Sequence, residues 1–207
     1  MKLLHIIASP RGENSRTLSI SKEFLSAFLE RYKDLTVDEI DLFKTKLPEV
    51  SLSASSTKYT LMTGGDVSES SKANWDEIIS FSKGFLSYDY FLISSPMWNF
   101  TIPYVLKHYI DVILQAGVLF NFTETGVVGL AVNKKMICIT SRGSDYSQGS
   151  YMNQFDFQEP YLRAIFGMTG IYDINFINAQ SMDMAPELTE AGLQKACVEA
   201  KALALSI

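Results

Sequence analysis

Short, unbroken apolar runs alternate along this chain with longer segments of helical period, and that alternation restricts the fold more than any other feature. Leu3-Leu4-His5-Ile6-Ile7-Ala8 is such a run. It ends at Ser9-Pro10-Arg11-Gly12, which is a buried strand followed by a loop. From Ser15 the residues Leu18, Phe24, Leu25, Phe28 and Leu29 recur at helical spacing, and the Ser15 hydroxyl can cap that helix. The pattern then repeats, with strands expected over 36–41, 90–94, 135–140 and 171–178 and helices over 75–86, 104–115, 158–166 and 188–205. Parallel strands need right-handed crossover helices, so the expectation is an α/β fold. It is a doubly wound five-stranded parallel sheet with helices on both faces, of the flavodoxin-like kind, in strand order 2-1-3-4-5.

A chain of 207 residues is long enough for one substantial core, so 1–207 reads as a single domain. A 47% hydrophobic and 20% charged composition is that of an ordinary globular protein. With a net charge of -5 and no basic patch, nucleic acid is not an expected partner. Cys138 lies in an apolar strand and Cys197 in a helix, without CxxC or His/Cys ligand spacing, so neither a metal nor a disulfide is expected. The apolar start from Met1 to Ala8 is too short for a secretion signal, and no run approaches the ~18 residues of a membrane helix. A cytoplasmic protein with no membrane contact is expected.

Two stretches interrupt the alternation. Residues 48–71, rich in Ser, Thr and Gly, read as a long surface connection with one helical turn. Residues 121–133, with Gly126 and Gly129, read as an excursion between helix and strand.

In a doubly wound sheet, ligands bind at the carboxyl ends of the strands, which directs attention to the loops after Ala8, Ser94 and Thr140. The first holds Ser9, Ser15 and Thr17 with Arg11 and Arg16 at a helix N-terminus, where free amides and the helix dipole favour an anion. It lacks GxxxxGK[ST] and GxGxxG, so a monophosphate fits better than a triphosphate or a dinucleotide. Ser15 would equally serve as a plain cap beside solvated arginines, so this loop decides nothing alone. The second, Ser95-Pro96-Met97-Trp98-Asn99-Phe100-Thr101-Ile102-Pro103, is stiffened by prolines and carries aromatics. A rigid loop of this kind can lie against a flat ring and offer amides to its heteroatoms, although Trp98 and Phe100 would also suit a core. In the third, Ser141-Arg142-Gly143-Ser144, Gly143 allows close backbone approach to a ligand; a solvent-facing turn is the alternative.

Taken in order, Pro96-Met97-Trp98-Asn99-Phe100, Lys107-His108-Tyr109-Ile110-Asp111, Ala116-Gly117-Val118-Leu119-Phe120, Phe122-Thr123-Glu124-Thr125-Gly126 and Ile139-Thr140-Ser141-Arg142-Gly143 resemble the FMN-dependent NADH azoreductases. These belong to the flavodoxin-like NAD(P)H:quinone oxidoreductases. The resemblance implies FMN as cofactor, its phosphate on Ser9, Ser15, Arg16 and Thr17 and its ring held by Met97, Trp98, Asn99, Phe100, Ser141, Arg142, Gly143 and Ser144. It also implies the Asn99 backbone amide near flavin N5. It further implies a homodimer whose substrate pocket is shared between subunits, with NADH or NADPH as donor and quinones or azo compounds as acceptors. The chain departs from many relatives in reading Ser-Arg-Thr for two serines around a polar residue, in Ser144 for a second glycine, and in Phe122 where a tyrosine often lies.

The chemistry so implied is ping-pong: hydride passes from the nicotinamide to flavin N5, and an electrophilic aromatic then takes the donor's place. The cofactor performs that chemistry, so no catalytic side chain is required. His5, in a buried strand, and His108, on a helix, read as structural. Phe120, Phe122 and Tyr146 are candidates for a stacking wall of the substrate pocket. The alternative reading is a flavodoxin-type electron carrier, which would hold FMN without reducing an organic substrate.

Overall fold

The computed structural model describes residues 1–207, the side chains of Ser53 and Met62 excepted. Its central sheet is built from β1 (Lys2–Ile7), β2 (Thr36–Asp41), β3 (Tyr90–Pro96), β6 (Lys135–Ser141) and β7 (Asp173–Ala179) in the order β2-β1-β3-β6-β7. Every neighbouring pair is parallel. Numbered among themselves, these strands follow the expected order 2-1-3-4-5. The central strands are apolar without alternation because both faces are covered: β3 is buried from Phe91 to Ser95 and β6 from Met136 to Thr140.

α1 (Arg16–Arg31) and α6 (Pro186–Ser206) cover one face. There Phe24 and Phe28 pack with Leu3, Leu92 and Ile137, and the small residues Ala196, Ala200 and Ala204 let α6 lie close. α3 (Glu69–Leu86), α4 (Tyr104–Ile113) and α5 (Gln158–Met168) cover the other, with Phe85, Leu106, Leu162 and Phe166 buried against Phe91 and Ile93. Each such aromatic contributes roughly 1.5–3 kcal/mol by leaving water.

The two interruptions are more ordered than the residue pattern suggests. Within 48–71 an eleven-residue helix, α2 (Leu52–Met62), replaces the expected single turn, and α3 already begins at Glu69. Ser51 and Ser68 cap them through amide bonds of 3.3 Å each, from Ala54 and Ser71. Within 121–133 the chain forms an antiparallel hairpin, β4 (Phe120–Thr123) and β5 (Gly126–Gly129). Among the described residues no helix is long and apolar enough to cross a membrane.

Candidate functional site

Four strands deliver loops to one edge of the sheet. After β1, the Ala8 amide bonds the Ser94 carbonyl at 2.9 Å, keeping the chain in register until the buried Ser9. Residues 12–14 make one tight turn, and Ser15 starts α1, its hydroxyl accepting from Leu18 N at 3.3 Å and lying 2.9 Å from Thr17 Oγ1. As the first helical residues, Arg16 and Thr17 have no acceptor for their amides among the described residues. Those two donors, the dipole of a sixteen-residue helix, and the cations Arg11 and Arg16 make a place for an anion.

The loop after β3 is held on three sides. Met97 N donates to the Ser141 carbonyl at 2.8 Å, Gln158 Nε2 to the Pro96 carbonyl at 3.0 Å, and Phe157 N to the Phe100 carbonyl at 3.0 Å. Between these anchors Trp98 and Thr101 exchange backbone bonds of 2.9 and 3.0 Å across Asn99 and Phe100. Both central residues have positive φ, 46° and 70°, as a type I′ turn requires. Asn tolerates this region; for Phe it costs about 1–2 kcal/mol, which the anchors and a ring stack of Phe100 on Phe155 at 5.3 Å offset. Strain retained at a ligand-facing loop is a mark of function. In this turn the Asn99 and Phe100 amides have no acceptor among the described residues.

After β6, Arg142 donates its amide to Ala179 O at 2.9 Å and accepts from Met182 N at 2.9 Å. Its side chain is fully buried: Nε bonds Thr140 Oγ1 at 3.1 Å, and Nη1 meets Asp156 at 2.7 Å. This guanidinium is a strut between the 141–144 loop and the start of α5. Gly143 lies so close to Asp183 that a Cβ there would stand 2.8 Å from its Oδ2.

The loops enclose a cavity of about 250 Å³. Of the residues singled out from sequence, it brings together Ser9, Ser15, Arg16, Met97, Trp98, Ser141, Arg142 and Gly143. Thr17 is buried beside it, bonded to Ser15. Asn99 borders an adjoining cleft of about 450 Å³ with Tyr104, Lys107 and Tyr161, and Trp98 lines both spaces. Ser144 is tied to Ser181 N at 3.1 Å outside the lining. The three wall candidates lie elsewhere. Phe120 is in the core, Phe122 is 71% exposed on the hairpin with its ring edge-on to Phe120, and Tyr146 faces a separate cavity beside Asp156 and Asn178. Sequence reasoning missed Met182 and Asp183, which reach the cavity from the loop after β7; Asp183 pairs with Arg16 at 3.1 Å. The strand-end rule applied to the fifth sheet strand would have pointed to them. Burial pushes the thiols of Cys138 and Cys197 up, which favours their protonated form. Among the described residues no group of three His, Cys, Asp or Glu side chains is placed to hold a metal.

A doubly wound sheet with an anion loop at its β1/β3 switch point, facing a strained turn with unpaired amides, defines a flavodoxin-like binding protein. Comparison agrees: the family described as having the flavodoxin-like fold matches residues 1–204. An FMN-dependent NADH:quinone oxidoreductase of Desulfotalea psychrophila is 36% identical over 208 residues, covering 100% of this chain and 95% of its own. Its counterpart numbered 3 in Pseudomonas fluorescens is 33% identical over 206 residues, covering 98% and 95%. Among solved structures, an azoreductase from Bacillus anthracis superposes with a TM-score of 0.91 at 27% identity over 100% of both chains. An FMN-dependent NADH-azoreductase of the same species, in complex with FMN, gives 0.90 at 27% identity, covering 99% and 98%. The chain belongs to the family of FMN-dependent NADH:quinone oxidoreductases.

Proposed function

We propose that this chain binds FMN in the cavity between the four loops and uses NADH or NADPH to reduce quinones and aromatic azo compounds. The observation that carries the proposal is the pairing of an anion site at the α1 N-terminus with free amides in a strained turn beside the adjoining cleft, Trp98 lining both spaces. Ser9, Ser15, Arg16 and Thr17 hold the phosphate through hydroxyls, amides and charge. Met97, Trp98, Asn99 and Phe100, with Ser141, Arg142, Gly143 and Ser144, frame the ring. The Asn99 amide is the donor to N5. FMN, when bound, supplies hydride acceptance from the nicotinamide and delivery to the acceptor. The protein's part is to orient the ring, supply fixed amide donors and hold water away. It needs no side-chain acid or base, which suits a site without an activated nucleophile.

Donor and acceptor use the same exposed face in turn, so turnover is ping-pong. The names of the relatives favour an enzyme over an electron carrier. A homodimer completes the site: Phe100, Tyr151 and Phe157 are exposed around the 98–101 turn. Apolar rings grouped beside a cavity suit a second copy of the chain. Two free thiols suit the reducing cytoplasm. Initial rates with NADH and a quinone both varied test this reading. Parallel double-reciprocal lines are expected. Intersecting lines would rule out alternating occupancy, and no quinone-dependent oxidation by FMN-loaded protein would leave a carrier.

A further inference from the structure

His5 is buried on β1, yet its ring is not packed as an apolar side chain. Nδ1 lies 3.0 Å from Glu39 Oε1 on β2, and Nε2 lies 2.8 Å from Ser94 Oγ on β3. Ser94 Oγ is 2.6 Å from Ser21 Oγ on α1, and Ser21 Oγ donates to the Thr17 carbonyl at 2.9 Å. The peptide unit carrying that carbonyl also carries the Leu18 N–H, which donates to Ser15 Oγ at 3.3 Å. Ser15 lines the cavity. An unbroken polar line therefore runs from Glu39, whose carboxylate is 59% exposed, through the sheet to the anion loop. The Glu-His-Ser order is that of an acyl-transfer triad, but Ser94 is wholly buried and no substrate carbonyl can reach it.

Counting hydrogens decides the state of this line. Four contacts, from Glu39 to the Thr17 carbonyl, each need one hydrogen. A carbonyl has none to give, so the Ser21 hydrogen is committed to Thr17. The Ser94 hydrogen must then go to Ser21, and Nε2 must supply its own to Ser94. The contact between Nδ1 and the Glu39 carboxylate needs one hydrogen more. All four bonds are made only when the His5–Glu39 pair carries an extra proton, as imidazolium against carboxylate. With a neutral imidazole beside the carboxylate one contact fails: the Thr17 carbonyl loses its hydroxyl donor, or two lone pairs face each other.

Burial holds the His5 imidazole below its ordinary value, and the hydrogen bond and charge of Glu39 oppose that. Glu39 on β2 is the charged group acting on the ring; the partners from β3 and α1, Ser94 and Ser21, are neutral. Near neutral pH the unloaded protein is thus a proton short. An anion beside Ser15 favours the missing proton by charge. It also gains from that proton, because a donor on the Thr17 carbonyl polarises Leu18 N–H and so strengthens the Ser15 hydroxyl as a donor.

We infer that His5 is a positioning residue for the phosphate loop and takes up one proton from solvent, by way of Glu39, when a phosphate monoester occupies that loop. The inference rests on the FMN reading given above, and its test separates the two. The chain has two histidines, so the ring signals of His5 and His108 can be followed by NMR across pH in protein alone, with FMN, and with riboflavin, which lacks the phosphate. Flavin fluorescence reports binding independently. FMN is expected to move the His5 midpoint up by about one pH unit, matching about tenfold tighter FMN binding on the acid side of that titration. Riboflavin should leave it in place. His108, bonded to the Pro48 carbonyl on the far side of the sheet from α1, should not move. Ser21→Ala, which cuts the line between Ser94 and Thr17, should abolish the His5 response while the protein remains folded by circular dichroism. Bound FMN with His5 unmoved, or equal movement with riboflavin, would overturn this inference alone; failure of FMN to bind would overturn the proposed function and this inference with it.

Discussion

Asn99 shows how much can depend on one backbone position. Its φ of 46° is a conformation Asn accepts and proline cannot reach. Asn99→Pro should raise the FMN dissociation constant roughly tenfold or more, by removing a donor and breaking the turn. Asn99→Gly keeps both the N–H and the positive φ and should bind FMN nearly as the parent does; fluorescence titration of the two variants separates amide from side chain. Arg142 makes the complementary point. Sequence placed its loop at the flavin ring, and the structure puts Arg142 in the cavity lining with its guanidinium bonded to Asp156, fourteen residues on. Arg142→Met leaves that carboxylate buried without its partner and should cost about 3 kcal/mol in urea unfolding of the apoprotein. Ser9, Ser15 and Arg16 were legible because a strand end followed by a helix start is a local pattern. The turn at 99–100 was not legible, since neither residue is glycine and the anchors that enforce positive φ come from residues 141, 157 and 158.

At the scale of elements, β1, β3 and β6 were legible because burial on both faces demands continuous apolar runs, whereas the edge strands β2 and β7, more polar and partly exposed, stood out as short segments between helical ones. α2 was hidden because its apolar residues do not gather on one stripe: Ala54 is buried while Leu52 and Tyr59 are exposed. Its Ser51 cap was the signal available. The hairpin was hidden because its strands are four residues each and mostly exposed. What secures the hairpin is contact rather than pattern. Ala131 N donates to the Thr169 carbonyl at 2.8 Å, and a Cβ on Gly129 would stand 2.1 Å from Gly170 N and the Thr169 carbonyl carbon. Backbone on the other side cannot yield as a side chain would. Gly129→Ala should therefore destabilise by about 3 kcal/mol, seen as a lowered Tm, and an unchanged Tm would mean that the hairpin does not dock on the α5–β7 corner.

At the scale of the molecule, a site open on its ring side and bordered by exposed aromatics asks for a partner. Sedimentation should give about twice the 23.2 kDa chain mass. Tyr151→Lys combined with Phe157→Lys should shift the protein towards monomer and lower kcat/KM for the quinone more than FMN affinity, because the phosphate loop lies within one chain. A parent protein that sediments as a monomer with full activity would refute the shared pocket. The central claim, that these loops hold a flavin which passes reducing equivalents from a nicotinamide to a quinone, is tested most directly by anaerobic visible spectroscopy of the FMN-loaded protein. Addition of NADH should bleach the flavin band, and a quinone added afterwards should restore it. A band that stays unchanged with NADH yet is bleached by dithionite would contradict the claim.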